Sequence, residues 1–275
     1  MARLPGSGVT LEVVDEGGGP AVLLLHGFPD SSRLWRKQIP ALVAAGFRAV
    51  APDLRGFGES DKPSRVADYA MPRILADLRA VLDALEVDRA SVVGHDWGAI
   101  AGWALAGWYP ERVERLVAIS VGHPKSYLRA AFSSTQAFRS LYALFFQMPV
   151  VSEAAIRARD WALLRQALGR AHDFEHYLRD LSRPGALTAA LNWYRANGRI
   201  DRLARYPTVT VPTLAIWGSK DPALGEKQMA GSGKYVDADW RYETIEGGHW
   251  LPITRSDEVN GLLIEFLRGG LPHFD

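Results

Sequence analysis

Asp96 sits in the run Ser91-Val-Val-Gly-His-Asp-Trp-Gly98, between a short β-branched segment and the apolar helical stretch Ala99-Ile-Ala-Gly-Trp-Ala-Leu-Ala106. This is the strand–turn–helix setting of a nucleophile elbow, with a carboxylate where acyl-transfer chemistry places a hydroxyl. Gly94 and Gly98 suit a turn so sharp that neighbouring side chains would collide. A carboxylate nucleophile attacks an alkyl carbon and leaves an ester that water can later hydrolyse. Carbon–oxygen or carbon–halogen cleavage is therefore favoured over ordinary ester hydrolysis.

Such a nucleophile needs an oxyanion hole, a base for the hydrolytic water, and a group that holds the base in the right tautomer. Of seven histidines, His249 is the candidate base, because it follows a strand-like segment in Glu246-Gly-Gly-His-Trp250 and comes after the acid in chain order. Asp221, in Trp217-Gly-Ser-Lys-Asp-Pro222, is the orienting acid. Asp before Pro also suits a plain turn, but the other acid position, after Val113–Ser120, offers only Val121, Gly122 and His123. The oxyanion donors are expected to be backbone N–H groups of Trp97, directly after the nucleophile, and of Phe28 in His26-Gly-Phe-Pro29. A cis bond before Pro29 would aim the Phe28 N–H inward.

The elements that must position these groups alternate along the first 120 residues. Val9–Val14, Ala21–Leu25, Phe47–Ala51, Ala90–Val93 and Val113–Ser120 read as strands; Leu34–Ala45, Ile74–Leu85 and Ala99–Tyr109 read as helices. Several strands are continuous apolar runs, as expected when helices cover both sheet faces. The alternation predicts a mostly parallel sheet with right-handed crossovers. From about His123 to Tyr206 the pattern is helical only. Strands return at Thr213–Trp217 and Trp240–Ile245, and a last amphipathic helix covers about Glu258–Leu267. We therefore expect a core of 1–122 and 207–275, with 123–206 as a helical cap over the strands' carboxyl ends, where open α/β sheets bind ligands.

Composition fits this reading. The chain has 275 residues, 48% hydrophobic and 23% charged, ordinary for a globular enzyme. A net charge of +1 with interspersed signs gives no footprint for nucleic acid. No cysteine is present, so disulfides and thiolate metal sites are excluded. Met1-Ala-Arg-Leu-Pro-Gly shows no secretory signal, and the apolar runs Ala21–Leu25 and Leu141–Phe146 are far too short for membrane insertion. A cytoplasmic location is the expectation.

With His26-Gly-Phe-Pro29, Asp53-Leu-Arg-Gly-Phe-Gly-Glu-Ser60, Gly94-His-Asp-Trp-Gly98, Gly218-Ser-Lys-Asp221 and Gly248-His-Trp250, the chain resembles the epoxide hydrolases of the α/β-hydrolase fold over almost its whole length. The resemblance implies a mostly parallel eight-stranded sheet flanked by helices, with the all-helical cap inserted after the sixth strand. It implies no cofactor and no metal, a small apolar epoxide and water as reaction partners, and a covalent ester on Asp96. Asn192-Trp-Tyr-Arg195 resembles the cap motif whose tyrosine faces the nucleophile, and Ser140-Leu-Tyr-Ala-Leu-Phe-Phe-Gln-Met-Pro149 the segment carrying its partner. Tyr194 and Tyr142 would then donate hydrogen bonds to the epoxide oxygen, being neutral at pH 7 with a usual pKa of ~10. A cap rich in aromatics also buries tyrosines for packing alone. Trp97, Trp193 and Phe28 are the expected substrate contacts. Ala99 departs from a family pattern that often has glycine after the elbow.

Haloalkane dehalogenases would share Asp96, Asp221 and His249 but would need halide donors, for which Trp97 with Trp161 or Trp193 are available. Trp97, not an arginine, follows Asp96, which argues against holding a carboxylated substrate. His172-Asp-Phe-Glu-His176 matches a zinc-binding H-x-x-E-H pattern, but its charged neighbours and the complete metal-free constellation elsewhere favour a solvated helix. Ala230-Gly-Ser-Gly-Lys-Tyr235 fails as a phosphate loop, with Gln228 at the first required glycine and Tyr235 in place of Ser or Thr. A non-catalytic ligand receptor would have lost nucleophile, base or acid, and all three are present.

Overall fold

The computed structural model describes residues 1–132, 134–168 and 174–269. Eight strands form one sheet: β1 (Ala2–Pro5), β2 (Thr10–Gly17), β3 (Ala21–Leu25), β4 (Arg48–Pro52), β5 (Ala90–His95), β6 (Val113–Ile119), β7 (Thr213–Gly218) and β8 (Trp240–Ile245). Their order is β1-β2-β4-β3-β5-β6-β7-β8. β1 and β2 run antiparallel to their neighbours, and all pairs from β4–β3 onward are parallel. β3, β5 and β7 are buried at every position, which fits their largely apolar sequences. Only seven strands are legible in the sequence. The eighth, β1, is a four-residue edge strand that is mostly exposed and ends on Pro5, a place where sheets tolerate proline.

Along the chain lie helices α1 (Gln38–Ala44), α2 (Met71–Ala84), α3 (Trp97–Trp108), α4 (Pro124–Ala131), α5 (Ser134–Arg139), α6 (Leu141–Phe145), α7 (Val151–Leu168), α8 (Phe174–Leu181), α9 (Ala186–Asn197), α10 (Ile200–Leu203), α11 (Glu226–Ala230), α12 (Leu251–Thr254) and α13 (Ser256–Leu267). Residues alternate across the strands: Leu23, Leu25 and Val92 join the core beneath α2 and α3, while Val22, Leu24 and Val93 join the one beneath α1 and α13. The single helix expected over Leu34–Ala45 is a 3-10 turn, Ser32–Trp35, followed by α1. Pro40 explains the break, because proline is tolerated only in a helix's first turn. α7 is interrupted by non-helical backbone from Ala158 to Trp161. No helix among the described residues is long and apolar enough to cross a membrane.

Among the described residues seven helices, α4 to α10, lie between β6 and β7. The two ends of this insertion meet at His123, whose Nδ1 accepts from the Lys125 N–H at 3.2 Å and whose Nε2 lies 2.9 Å from the Pro207 carbonyl. α9 is fastened to the sheet-bearing body. Trp193 Nε1 donates to the Arg55 carbonyl at 2.9 Å, and Asn197 Nδ2 to the Tyr69 carbonyl at 2.8 Å. Asn197 Oδ1 in turn accepts from the Met71 N–H at 2.8 Å. Arg55 is itself clamped by a buried pair with Asp77, both hydrogen bonds being 2.7 Å.

Candidate active site

Asp96 stands between β5 and α3, with φ 53° and ψ −122°, a conformation an L residue adopts only under strain. Glycines make room for it. A Cβ on Gly98 would meet the Leu25 carbonyl, one on Gly94 the Gly98 carbonyl, and one on Gly27 the Asp96 side chain itself. The Phe28 N–H donates to Asp96 Oδ1 at 2.9 Å, and the Phe28–Pro29 bond is cis. The Trp97 N–H also bonds the Asp96 carboxylate. Both expected oxyanion donors therefore converge on one carboxylate.

His249 Nε2 stands 3.7 Å from Asp96 Oδ2, and its Nδ1 is 2.7 Å from Asp221 Oδ2. The other Asp221 oxygen accepts from the N–H groups of Ala223 and Leu224 at 2.8 and 2.9 Å, which fixes the orienting carboxylate. Burial alone would strip His249 of its proton, but the Asp221 and Asp96 carboxylates push its pKa up to about 10. Burial would likewise raise Asp96, but the cationic His249 ring 3.7 Å away holds it below the usual carboxylate range. The resting site is thus an ionised Asp96 against a protonated His249.

Two positioning groups escaped the sequence reading. The His249 carbonyl accepts from Ser120 Oγ at 2.9 Å and from His95 Nε2 at 3.0 Å, which pins the loop after Gly248. His95 is neutral: burial, then the nearby His249 cation, drives its pKa down to about 3. Its place directly before Asp96 was the only hint; Ser120 gave none. The motif residues His26 and Asp53 are structural, with His26 Nε2 accepting from the Leu54 N–H at 2.9 Å and Asp53 from Ser32 and Glu59 N–H at 2.8 and 2.9 Å.

Above Asp96 is a cavity of about 360 Å³, mostly apolar, whose lining includes Asp96, Trp97, Leu128, Tyr142, Tyr194 and Leu224. That volume lies in the range of small-molecule sites. The Tyr142 and Tyr194 rings are 6.0 Å apart, edge to face, and Tyr194 packs its ring at 5.0 Å from Trp97 and 5.7 Å from Phe28. Burial first and the Asp96 charge second raise both phenols well above their usual pKa, so each keeps its proton. Two expectations need correction. Trp193 is fully buried, does not line the cavity, and commits its indole N–H to Arg55. The Phe28 ring also lies outside the lining, packed on Phe146 and Tyr194, while its N–H reaches Asp96. A sequence motif cannot tell which face of α9 points inward.

Trp161 does not line the cavity; Arg157 sits 5.8 Å over its ring. His172 lies outside the described residues, while His176 Nε2 is 3.1 Å from Asp180 and 3.3 Å from Ser31 Oγ. Among the described residues no cluster of three His, Cys, Asp or Glu could hold a metal ion.

An elbow at the end of β5, acid and histidine loops after β7 and β8, and helices inserted after β6 define a particular architecture. The profile of the alpha/beta hydrolase fold matches residues 20–256. The chain belongs to this family. Within it, Epoxide hydrolase A of Mycobacterium tuberculosis is 33% identical over 96% of this chain and 95% of its own length. The AB hydrolase superfamily protein YfhM of Bacillus subtilis is 36% identical over 95% of this chain and 96% of its own. A crystal structure of an epoxide hydrolase from Bacillus megaterium with an inhibitor superposes with a TM-score of 0.88 at 30% identity, covering 97% of this chain and all of that one (100%).

Proposed function

We propose that this protein is an epoxide hydrolase that makes a vicinal diol in two steps through a covalent ester on Asp96, with residues 123–206 acting as a cap. The observation that carries the proposal is the facing of an ionised carboxylate by two neutral phenols across an apolar cavity. The relatives named epoxide hydrolase support it. Neither tryptophan that could serve haloalkane chemistry as a second halide donor is available, because the indole N–H of Trp193 is spent on Arg55 and Trp161 is outside the cavity.

In the first step an Asp96 oxygen attacks a ring carbon, the carbon–oxygen bond breaks, and the leaving oxygen takes the electron pair. Tyr142 and Tyr194 donate to that oxygen and bind it better as its charge grows, which lowers the barrier. Phe28 already holds Oδ1, so Oδ2, on the His249 side, is the attacking atom. Esterification removes the Asp96 charge, one of the two that keep His249 protonated. Its pKa therefore falls, and the proton it sheds balances the one the alkoxide takes up. Neutral His249 then accepts a proton from water, whose oxygen attacks the Asp96 carbonyl. The Phe28 and Trp97 N–H groups hold the oxyanion until the ester carbon–oxygen bond breaks and the diol leaves.

The test is mass spectrometry of a His249→Gln variant mixed with styrene oxide or with a 1-haloalkane. Ring opening needs no base but ester hydrolysis does, so the epoxide should leave an adduct on Asp96 and the haloalkane should leave none. The opposite pattern would move the activity to haloalkanes.

A further inference from the structure

The cavity holds a third phenol for which the proposed reaction has no task. Tyr127, on α4, and Ser140, just before α6, both line it, with Tyr127 OH 2.8 Å from Ser140 Oγ. Gln136 stands behind them. Its Oε1 accepts from the Gly225 N–H at 2.9 Å and its Nε2 donates to the Ala223 carbonyl at 3.1 Å, so the orientation of the amide is fixed by main-chain groups. Nε2 also lies 3.0 Å from Ser140 Oγ and must donate to it.

The hydrogens can now be counted. Ser140 and Tyr127 each own one hydroxyl hydrogen, and a hydroxyl accepts through two lone pairs. Ser140 already accepts from Gln136, and only one hydrogen can lie between Ser140 and Tyr127. Whichever hydroxyl supplies it, the other keeps a hydrogen with no acceptor among the described residues. Both groups face the same cavity, whose mostly apolar lining includes Leu128, Ala143 and Leu224. A donor left open toward an apolar site is costly until a ligand oxygen meets it. The phenol is neutral, since burial holds it above its usual pKa.

We infer that Tyr127 and Ser140 form a polar anchor distinct from the epoxide-oxygen donors, recognising a hydrogen-bond-accepting oxygen elsewhere on the substrate. The substrate class this selects is epoxides that carry an ether or carbonyl oxygen on the chain beside the ring, over their all-carbon analogues. The inference rests on the proposed epoxide reaction, but its failure is separable from that of the reaction.

The experiment compares kcat/KM for two pairs in which CH2 replaces the oxygen: phenyl glycidyl ether with 4-phenyl-1,2-epoxybutane, and 4-phenoxy-1,2-epoxybutane with 5-phenyl-1,2-epoxypentane. The readout is the ether-to-carbon ratio in the wild-type protein divided by that in the double variant Tyr127→Phe/Ser140→Ala, so differences in intrinsic ring reactivity cancel. One lost hydrogen bond predicts a fall in the ratio of about 5- to 20-fold for at least one pair. A ratio unchanged in both pairs, or an equal loss on ether and carbon substrates, overturns the anchor. Should the double variant not fold, competitive inhibition of the wild-type protein by the matching diols supplies the test: the ether diol of at least one pair must bind more tightly than its carbon analogue, and equal binding in both pairs overturns the inference. A wild-type protein that opens none of the four epoxides refutes the proposed reaction itself.

Discussion

At the carboxyl edge of the sheet each reactive group is answered by another group. Asp96 is met by two N–H donors and a histidine, His249 by Asp221, Asp221 by two further N–H groups, and the His249 carbonyl by Ser120 and His95. On the helical side of the cavity the arrangement is the reverse. The Tyr142 hydroxyl has no hydrogen-bond partner among the described residues, and Tyr142 and Tyr194 are placed by ring edges against Phe146, Trp97 and each other. The charged groups are preorganised by polar bonds, and the rings of Tyr142 and Tyr194 chiefly by packing. In the proposed reaction the charged side acts in both chemical steps, whereas the tyrosines are needed only while the epoxide oxygen gains charge.

The comparison predicts unequal losses. Asp96→Asn should reduce turnover by ~10⁴-fold or more, as loss of a nucleophile does, with the fold retained by circular dichroism. A full-rate variant, free of wild-type contamination and deamidation, would end the proposal. Tyr142→Phe or Tyr194→Phe should slow ester formation by about 10- to 1000-fold, while rapid-quench hydrolysis of a preformed adduct stays close to wild type. If hydrolysis slows equally, the division of labour between the two sides is wrong.

pH should separate the steps in the same way. In the proposed reaction ring opening needs ionised Asp96, which is held below the usual carboxylate range, and ester hydrolysis needs neutral His249. Adduct should therefore accumulate as pH falls in single-turnover mixtures, and an adduct level flat with pH would contradict the assignment of the base. Stability carries the opposite signature. His249 keeps in the folded state a proton that the unfolded chain releases, so its contribution is whole below pH ~6.5 and fades as pH rises through about 10. Melting temperature should drop more steeply over that window in the wild-type protein than in His249→Gln. The smallest effect expected is on the fastening of α9. Asn197→Ala strands the Met71 N–H and the Tyr69 carbonyl, which should cost about 1–3 kcal/mol in chemical denaturation.

The same division governs what the sequence disclosed. The charged side was legible because its constraints are local: Gly94 and Gly98 are demanded by the backbone around Asp96, and Asp221 and His249 follow strands by a few residues. Tyr142 and Tyr194 were legible only through the motifs around them, since their approach depends on α6 and α9 meeting over β5. Trp193 was misassigned and Tyr127 passed unnoticed for that reason, because helix contacts distant in sequence decide which aromatic reaches the cavity. β1 was missed because four residues, one of them proline, carry no usable periodicity.

The fastening of α9 has a mechanical consequence. The Ser7 N–H donates to Asp77, Asp77 grips Arg55, the Arg55 carbonyl holds Trp193, and Trp193 adjoins Tyr194. This linkage runs from the first loop of the chain to one of the two phenols, with each joint buried or half-buried. The opposite wall, α5 and α6, is tied to the body through Gln136 and Arg139 to the loop at 221–225. The cavity therefore lies between two walls that are each tied to the sheet-bearing body by hydrogen bonds, one through α9 and the other through the loop at 221–225. Tyr194 thus takes its place over Asp96 from residues as distant in the chain as Ser7 and Asp77.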